Sequence, residues 1–240
     1  LRRLEAEKKA ARENADVGSN VWAFSPDRTR SGNAILMRNP HLSWDAGYYE
    51  AQITVPGKIN FYGDFRIGGM FAIICGFNDH LGWSTTNNHP DLEEVYALQA
   101  DPDKPDHYLL DGQSYPILRE TITVEFKNGE GTGLTSKEWL YTPYGPVIDR
   151  ANGFVYIVKT ADWNNFRRGE QLTAMIQANS FDEWLAAMKR RNISSSNYTY
   201  ADAEGNIFYL WNASTPKLTH EYKGDTVAHE VTSSKQIWQE

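Results

Sequence analysis

Ser19 follows a glycine in Gly18-Ser19-Asn20-Val21-Trp22, where a charged stretch gives way to strand-like sequence. A serine hydroxyl is a poor nucleophile until a base takes its proton. If the peptide bond before Ser19 is cut, the residue gains an α-amine. The ordinary pKa of such an amine, about 7.7–8.0, leaves part of it unprotonated near neutral pH. Nucleophile and base then occupy one residue. Gly18 suits such a scissile bond because it leaves the backbone free and uncrowded. Taken alone, the Gly-Ser step also reads as an ordinary turn.

A second candidate is Asn39-Pro40-His41-Leu42-Ser43-Trp44. Proline ends a ladder and fixes the chain direction, which places His41 at the tip of a strand starting near Asn33. That strand neighbours the one led by Ser19, so pairing brings Ser19 and His41 together. Alone, His41 reads equally as a surface or core histidine. A third candidate runs from Ser84 through Asn87 and His89 to Asp91. It follows an apolar strand, so a backbone N–H here can face a cleft; the bland reading is a polar loop. Nothing in the spacing of His80, His89 and Asp91 demands a metal. Asp91-Leu92-Glu93-Glu94 offers oxygen ligands to a hard cation such as calcium, or is a solvated loop. Tyr141 to Pro146 reads as a rigid turn whose aromatics are free to line a pocket.

The elements that must position these residues are mostly strands. Asn33–Met37, Tyr48–Val55, Met70–Gly76, Thr121–Lys127 and Gly153–Lys159 carry apolar or alternating patterns. Gly82–Thr86 and Glu93–Gln99 are expected to pair. Asn128-Gly129 is a strong hairpin signal, and Asn197–Asp202 with Asn206–Trp211 flanks another around Ala203-Glu204-Gly205. One internal helix is expected, with Ser180 and Glu183 as a capping box and Phe181, Trp184, Leu185 and Met188 on one face. Leu1–Asp16 reads as a helix or solvated linker. The balance predicts an α+β fold with a mostly antiparallel sheet.

The 240 residues are 40% hydrophobic, enough for a large core, and carry a net charge of −7. An acidic balance argues against nucleic acid as a partner. No run of eighteen apolar residues marks a membrane span. The single cysteine, Cys75, makes neither an internal disulfide nor a thiolate metal cage.

Together the pieces resemble the penicillin acylase family of N-terminal-nucleophile hydrolases, more on the side of the cephalosporin and acyl-homoserine lactone acylases. The resemblance runs from Gly18 to about Lys217. Its carriers are Gly-Ser-Asn-Val-Trp at 18–22, Gly-Asn-Ala-Ile-Leu at 32–36, Asn-Pro-His-Leu-Ser-Trp at 39–44 and Gly-Phe-Asn at 76–78. They continue with Trp-Ser-Thr-Thr-Asn at 83–87, Asp-Gly-Gln at 111–113, Tyr-Gly-Pro-Val at 144–147 and Tyr-Ala-Asp-Ala-Glu-Gly-Asn-Ile at 200–207.

The resemblance implies a four-layer αββα sandwich, of which this chain holds part. It implies that residues 1–18 are a linker before a self-cleavage site at Gly18-Ser19, and that 19–240 begin a β-chain. It makes Ser19 the nucleophile, His41 its hydrogen-bonding support and the Asn87 backbone N–H an oxyanion donor. Trp22 and Leu42 would line the substrate pocket. Asp91 and Glu94 match positions that bind a structural calcium in some members, with Glu94 where aspartate is usual; the chemistry itself needs no cofactor. The implied partners are a small N-acyl substrate, an α-chain and the rest of the β-chain, which would supply a second oxyanion donor. The implied location is the periplasm or outside the cell. Two rivals stand beside an amidohydrolase: an acylase-like scaffold that binds without turnover, and a β-rich binding domain in which Gly18-Ser19 is only a turn.

Overall fold

A computed structural model describes residues 18–42, 47–66, 73–129, 131–221 and 227–239. The helix or linker expected over Leu1–Asp16, residues Ser43 and Trp44, and the start of the strand expected over Met70–Gly76 lie outside these. The described residues form two compact units, one reaching to Pro90 and resuming over Asn164–Thr215, the other comprising Asp91–Trp163 and the stretch from Pro216 onward.

The first unit opens with a two-stranded antiparallel ribbon. It is made by β1 (Gly18–Phe24) and β2 (Ile35–His41). A six-stranded sheet follows, built from β3 (Tyr48–Val55), β4 (Ile59–Arg66), β5 (Ile73–Phe77), β6 (Leu81–Thr86), β14 (Ser195–Asp202) and β15 (Ile207–Ala213). Its order is β15-β14-β6-β5-β4-β3, with antiparallel neighbours throughout. Two helices, α1 (Arg168–Gln177) and α2 (Phe181–Met188), cover one face.

Alternation along β6 shows how the layers stack. Leu81 and Trp83 are buried in the cluster that contains Leu172, Met175 and Trp184 from the helices. Gly82, pointing the other way, faces β2: a Cβ there would stand 3.3 Å from Leu36 Cδ2. Helices and ribbon therefore lie on opposite faces of the six-stranded sheet, in the order helices, sheet, ribbon.

Helix α2 is capped as its sequence predicts, with Ser180 Oγ accepting from the Glu183 N–H at 3.3 Å. The Glu183 carboxylate reaches back to the Asn179 N–H rather than to that of Ser180. Helix α1 escapes prediction because its first turn carries no such signature. Its N-cap is Arg167, which makes no side-chain cap hydrogen bond.

The second unit holds an eight-stranded sheet. Its strands are β7 (Glu93–Ala100), β8 (His107–Leu110), β9 (Gln113–Pro116), β10 (Leu118–Asn128), β11 (Gly131–Thr142), β12 (Gly145–Ala151), β13 (Phe154–Thr160) and β16 (His229–Val231). Seven follow the order β10-β11-β12-β13-β7-β8-β9, while β16 joins β7 in parallel. Its core gathers Tyr96, Leu98, Tyr108, Val155, Ile157 and Trp238.

Two expectations are corrected. Gly82–Thr86 and Glu93–Gln99 do not pair: β6 joins β5 and β14, and β7 joins β13, β8 and β16. Both segments are apolar and extended, and nothing local says which sheet receives them. Nor does Pro40 end its strand. β2 has a partner on one side only, so a missing N–H is tolerated and pairing runs on to His41. Among the described residues no helix is long and apolar enough to cross a membrane.

Candidate active site

The register of β1 on β2 arranges the first two candidate residues. Gly18 stands opposite His41, Ser19 opposite Pro40 and Asn20 opposite Asn39. Paired residues share a face and neighbours alternate. Ser19, Val21 and Ala23 thus share one face of the ribbon with Leu36 and Arg38. Asn20, Trp22 and Phe24 share the other with Ile35, Met37, Asn39 and His41. Ser19 and His41 are one register step apart and point to opposite faces.

Ser19 is half-buried, and its hydroxyl donates to the carbonyl oxygen of Gly18 at 2.5 Å. The Ser19 hydroxyl is therefore folded back against the peptide group that precedes it. His41 is exposed and stands directly across the ribbon from Gly18. A Cβ on residue 18 would sit 3.3 Å from His41 Nδ1. On its far edge, His41 Nε2 lies 2.7 Å from Asn39 Oδ1 and 3.2 Å from Asn20 Nδ2. The shorter contact is to an acceptor, so Nε2 carries the proton and donates to Asn39. That leaves the lone pair on Nδ1, beside Gly18. Asn39 thereby orients the imidazole, and Asn20, its cross-strand partner, donates to Asn39 Oδ1 at 3.5 Å. Neither contact was read from the sequence, although a register placing Gly18 opposite His41 would have paired the two asparagines.

The ribbon lies across β6 and β14. Asn87 is the first residue past the β6–β14 ladder, whose last pair is Asn197 with Thr86. It is exposed, and its carbonyl accepts from Asn197 Nδ2 at 3.1 Å. The same amide reaches Thr86 Oγ1 at 3.0 Å, which ties the end of β6 to β14. Among the described residues no hydrogen bond joins Asn87 to Ser19 or His41.

Trp22 is exposed on the His41 face of the ribbon, and Leu42 is half-buried just past β2. Neither lines a cavity of about 420 Å³ that opens in this unit. That cavity opens beneath the other ribbon face, between Leu36 and Arg38 of β2 and Cys75, Gly82 and Ser84 of the sheet. Arg38 reaches down to pair with Asp64 of β4. Burial pushes the Asp64 carboxyl above the ordinary range, although the Arg38 guanidinium pulls it down. Burial also pushes the neighbouring Cys75 thiol up, so this cysteine is held as the inert thiol.

Asp91 and Glu94, the expected calcium ligands, sit in the second unit. Asp91 is exposed and Glu94 is buried at the start of β7. Among the described His, Cys, Asp and Glu side chains, those that close on Glu94 are His220 and His229; Asp91 is outside this group. Two imidazoles and one carboxylate do not make the all-oxygen set that a hard cation takes.

Comparisons with known proteins place this geometry in a family. The family described as penicillin amidase matches residues 1–240. An acyl-homoserine lactone acylase PvdQ of Pseudomonas fluorescens (strain Pf0-1) is 33% identical over 218 residues, covering 85% of this chain and 28% of the relative. The aculeacin-A acylase of Actinoplanes utahensis is 26% identical, over 86% of this chain and 27% of its own length. The solved structure of a thermostable penicillin G acylase from Alcaligenes faecalis superposes with a TM-score of 0.74 at 20% identity, over 91% of this chain and 39% of that one. It shares the mostly antiparallel fold. The chain belongs to the penicillin amidase family. It spans little more than a quarter of the length of the curated relatives it matches.

Proposed function

We propose that the polypeptide carrying this chain is an acylase that hydrolyses the amide bond of N-acyl compounds through Ser19, after cutting itself between Gly18 and Ser19. The observation that supports the reading is that Gly18 has the Ser19 hydroxyl on its carbonyl oxygen and His41 as its cross-strand partner.

The first event is intramolecular. Ser19 Oγ attacks the carbonyl carbon of Gly18 and closes a five-membered ring. Collapse of that ring breaks the C–N bond and moves the acyl group from nitrogen to oxygen. Water then hydrolyses the ester, releasing a carboxylate on Gly18 and an α-amine on Ser19. With Gly18 detached, the new amine occupies the end of β1 next to the place where His41 Nδ1 presents its lone pair.

In turnover the amine takes the proton of Oγ as the oxygen attacks the substrate carbonyl. The Asn87 N–H is assigned to the developing oxyanion; one such donor is worth about 10²–10³ in rate. The proton passes to the leaving amine, and water releases the acid from the acyl-enzyme. The similarity to PvdQ and penicillin G acylases supports acyl-homoserine lactones and β-lactams as the substrate classes to assay first. An expected periplasmic or extracellular location belongs to the same proposal.

The test is hydrolysis of an N-acyl panel by the full-length protein and by Ser19→Ala. Release of free acid by the wild type alone supports the reading, and equal release by the variant rules it out.

A further inference from the structure

We propose that Glu94, His220 and His229 form a binding site for a transition-series dication of the zinc or cobalt type. The inference does not depend on the acylase reading.

The three ligand atoms lie within 4.8 Å of one another. Glu94 Oε2 and His229 Nε2 are 3.4 Å apart, and both side chains are almost fully buried. The two imidazoles stack with centroids 3.7 Å apart and planes inclined by 29°. The tautomer of His220 also fits a ligand. Its Nδ1 lies 3.2 Å from the Glu221 carbonyl oxygen, so Nδ1 carries the proton and Nε2 the lone pair. That Nε2 faces the Tyr96 hydroxyl at 3.4 Å.

A dication would use both imidazoles as neutral donors and answer the Glu94 carboxylate as well. Nitrogen-rich sets of this kind select zinc, cobalt or nickel over calcium. Three protein ligands leave a fourth tetrahedral position for water. Ligand bonds of about 2.0–2.1 Å require the more distant of the three atoms to draw in, and His220 is the half-buried member of the three. The bound ion would clip β7 to the chain around β16.

The test is titration of the chelator-stripped full-length protein with Co²⁺ alone, Zn²⁺ alone and Ca²⁺ alone. The readouts are the cobalt visible spectrum, calorimetric stoichiometry and the melting temperature. One ion per chain, an intense tetrahedral cobalt spectrum displaced by Zn²⁺, and a rise in melting temperature with Zn²⁺ but not Ca²⁺ are expected. His220→Ala, at the half-buried position, should weaken Zn²⁺ by more than the roughly 10–100-fold typical of a supporting residue. Glu94→Gln should act likewise, and Asp91→Asn should leave Zn²⁺ binding unchanged. No Zn²⁺ or Co²⁺ binding, Zn²⁺ binding untouched by His220→Ala and Glu94→Gln, or Ca²⁺ binding at these residues in preference to Zn²⁺ would each overturn the assignment.

Discussion

Gly18 and His41 face each other across the first antiparallel pair of the chain, close enough that a methyl group on residue 18 would touch the imidazole at 3.3 Å. The glycine is needed for room rather than for a special backbone angle. Gly18→Ala should therefore slow self-cleavage without abolishing it, because the exposed ring can yield by a few tenths of an ångström. Gly18→Val should slow it further. The ratio of uncut to cut chain over time, read by intact mass, checks the order.

Asn39 holds His41 by accepting from its Nε2 at 2.7 Å. Removing the imidazole with His41→Ala should cost about 10²-fold or more in turnover, the scale of general acid–base groups. Asn39→Ala should cost less, roughly tenfold, and should fall on kcat rather than KM. A loss confined to KM would make Asn39 a substrate contact instead.

Gly76 sits under the Phe61 ring, and a Cβ there would also lie 2.5 Å from the Tyr62 carbonyl oxygen. Backbone cannot yield as a side chain can. Gly76→Ala should destabilise the protein by about 1–3 kcal/mol or more, by overpacking. A melting temperature within error of wild type would contradict the packing described for β4 and β5.

Trp184 is fully buried, with its ring centroid 5.0 Å from that of Tyr200. It joins α2 to the six-stranded sheet. Trp184→Ala should cost about 3–5 kcal/mol, and Ser180→Ala at the cap of the same helix about 1 kcal/mol. Denaturant midpoints of the two variants should differ accordingly.

Asp111 accepts hydrogen bonds from the Ser233 hydroxyl at 2.7 Å and the Ser234 N–H at 3.0 Å. Hydrogen bonds from Ser234 and then Ser233 hold its carboxyl below the ordinary range. A depressed carboxylate contributes stability that is fully present above the unfolded value, about 3.9. The contribution fades as pH falls through the folded value. Asp111→Asn should thus lower the melting temperature near neutral pH, and the gap from wild type should narrow below about pH 4. A gap independent of pH would remove Asp111 from this role.

Much of the architecture was legible wherever a local signal stood for a local structure. Asn128-Gly129 turns with positive φ at Gly129. Ser180 starts a helix, and the strands led by Ser19 and Asn33 do pair. What stayed hidden was long-range or negative. The apolar runs of β6 and β7 carry no label for their sheets. Helix α1 begins without a cap, and Pro40 is harmless only because β2 has one neighbour. The approach of His220 and His229 to Glu94 depends on a parallel pairing of β16 with β7 that no spacing announces. At the candidate site, residue types were readable, but their faces were not. Only the register shows that Ser19 and His41, one step apart beside Gly18, point to opposite faces of the ribbon.

The most direct test is the intact mass and N-terminal sequence of the chains recovered from the expressed full-length protein. A chain that begins at Ser19 in the wild type, with an uncut polypeptide in Ser19→Ala, is the expected result. A wild-type protein that remains joined through Gly18-Ser19, yet hydrolyses N-acyl substrates at full rate, would contradict the account.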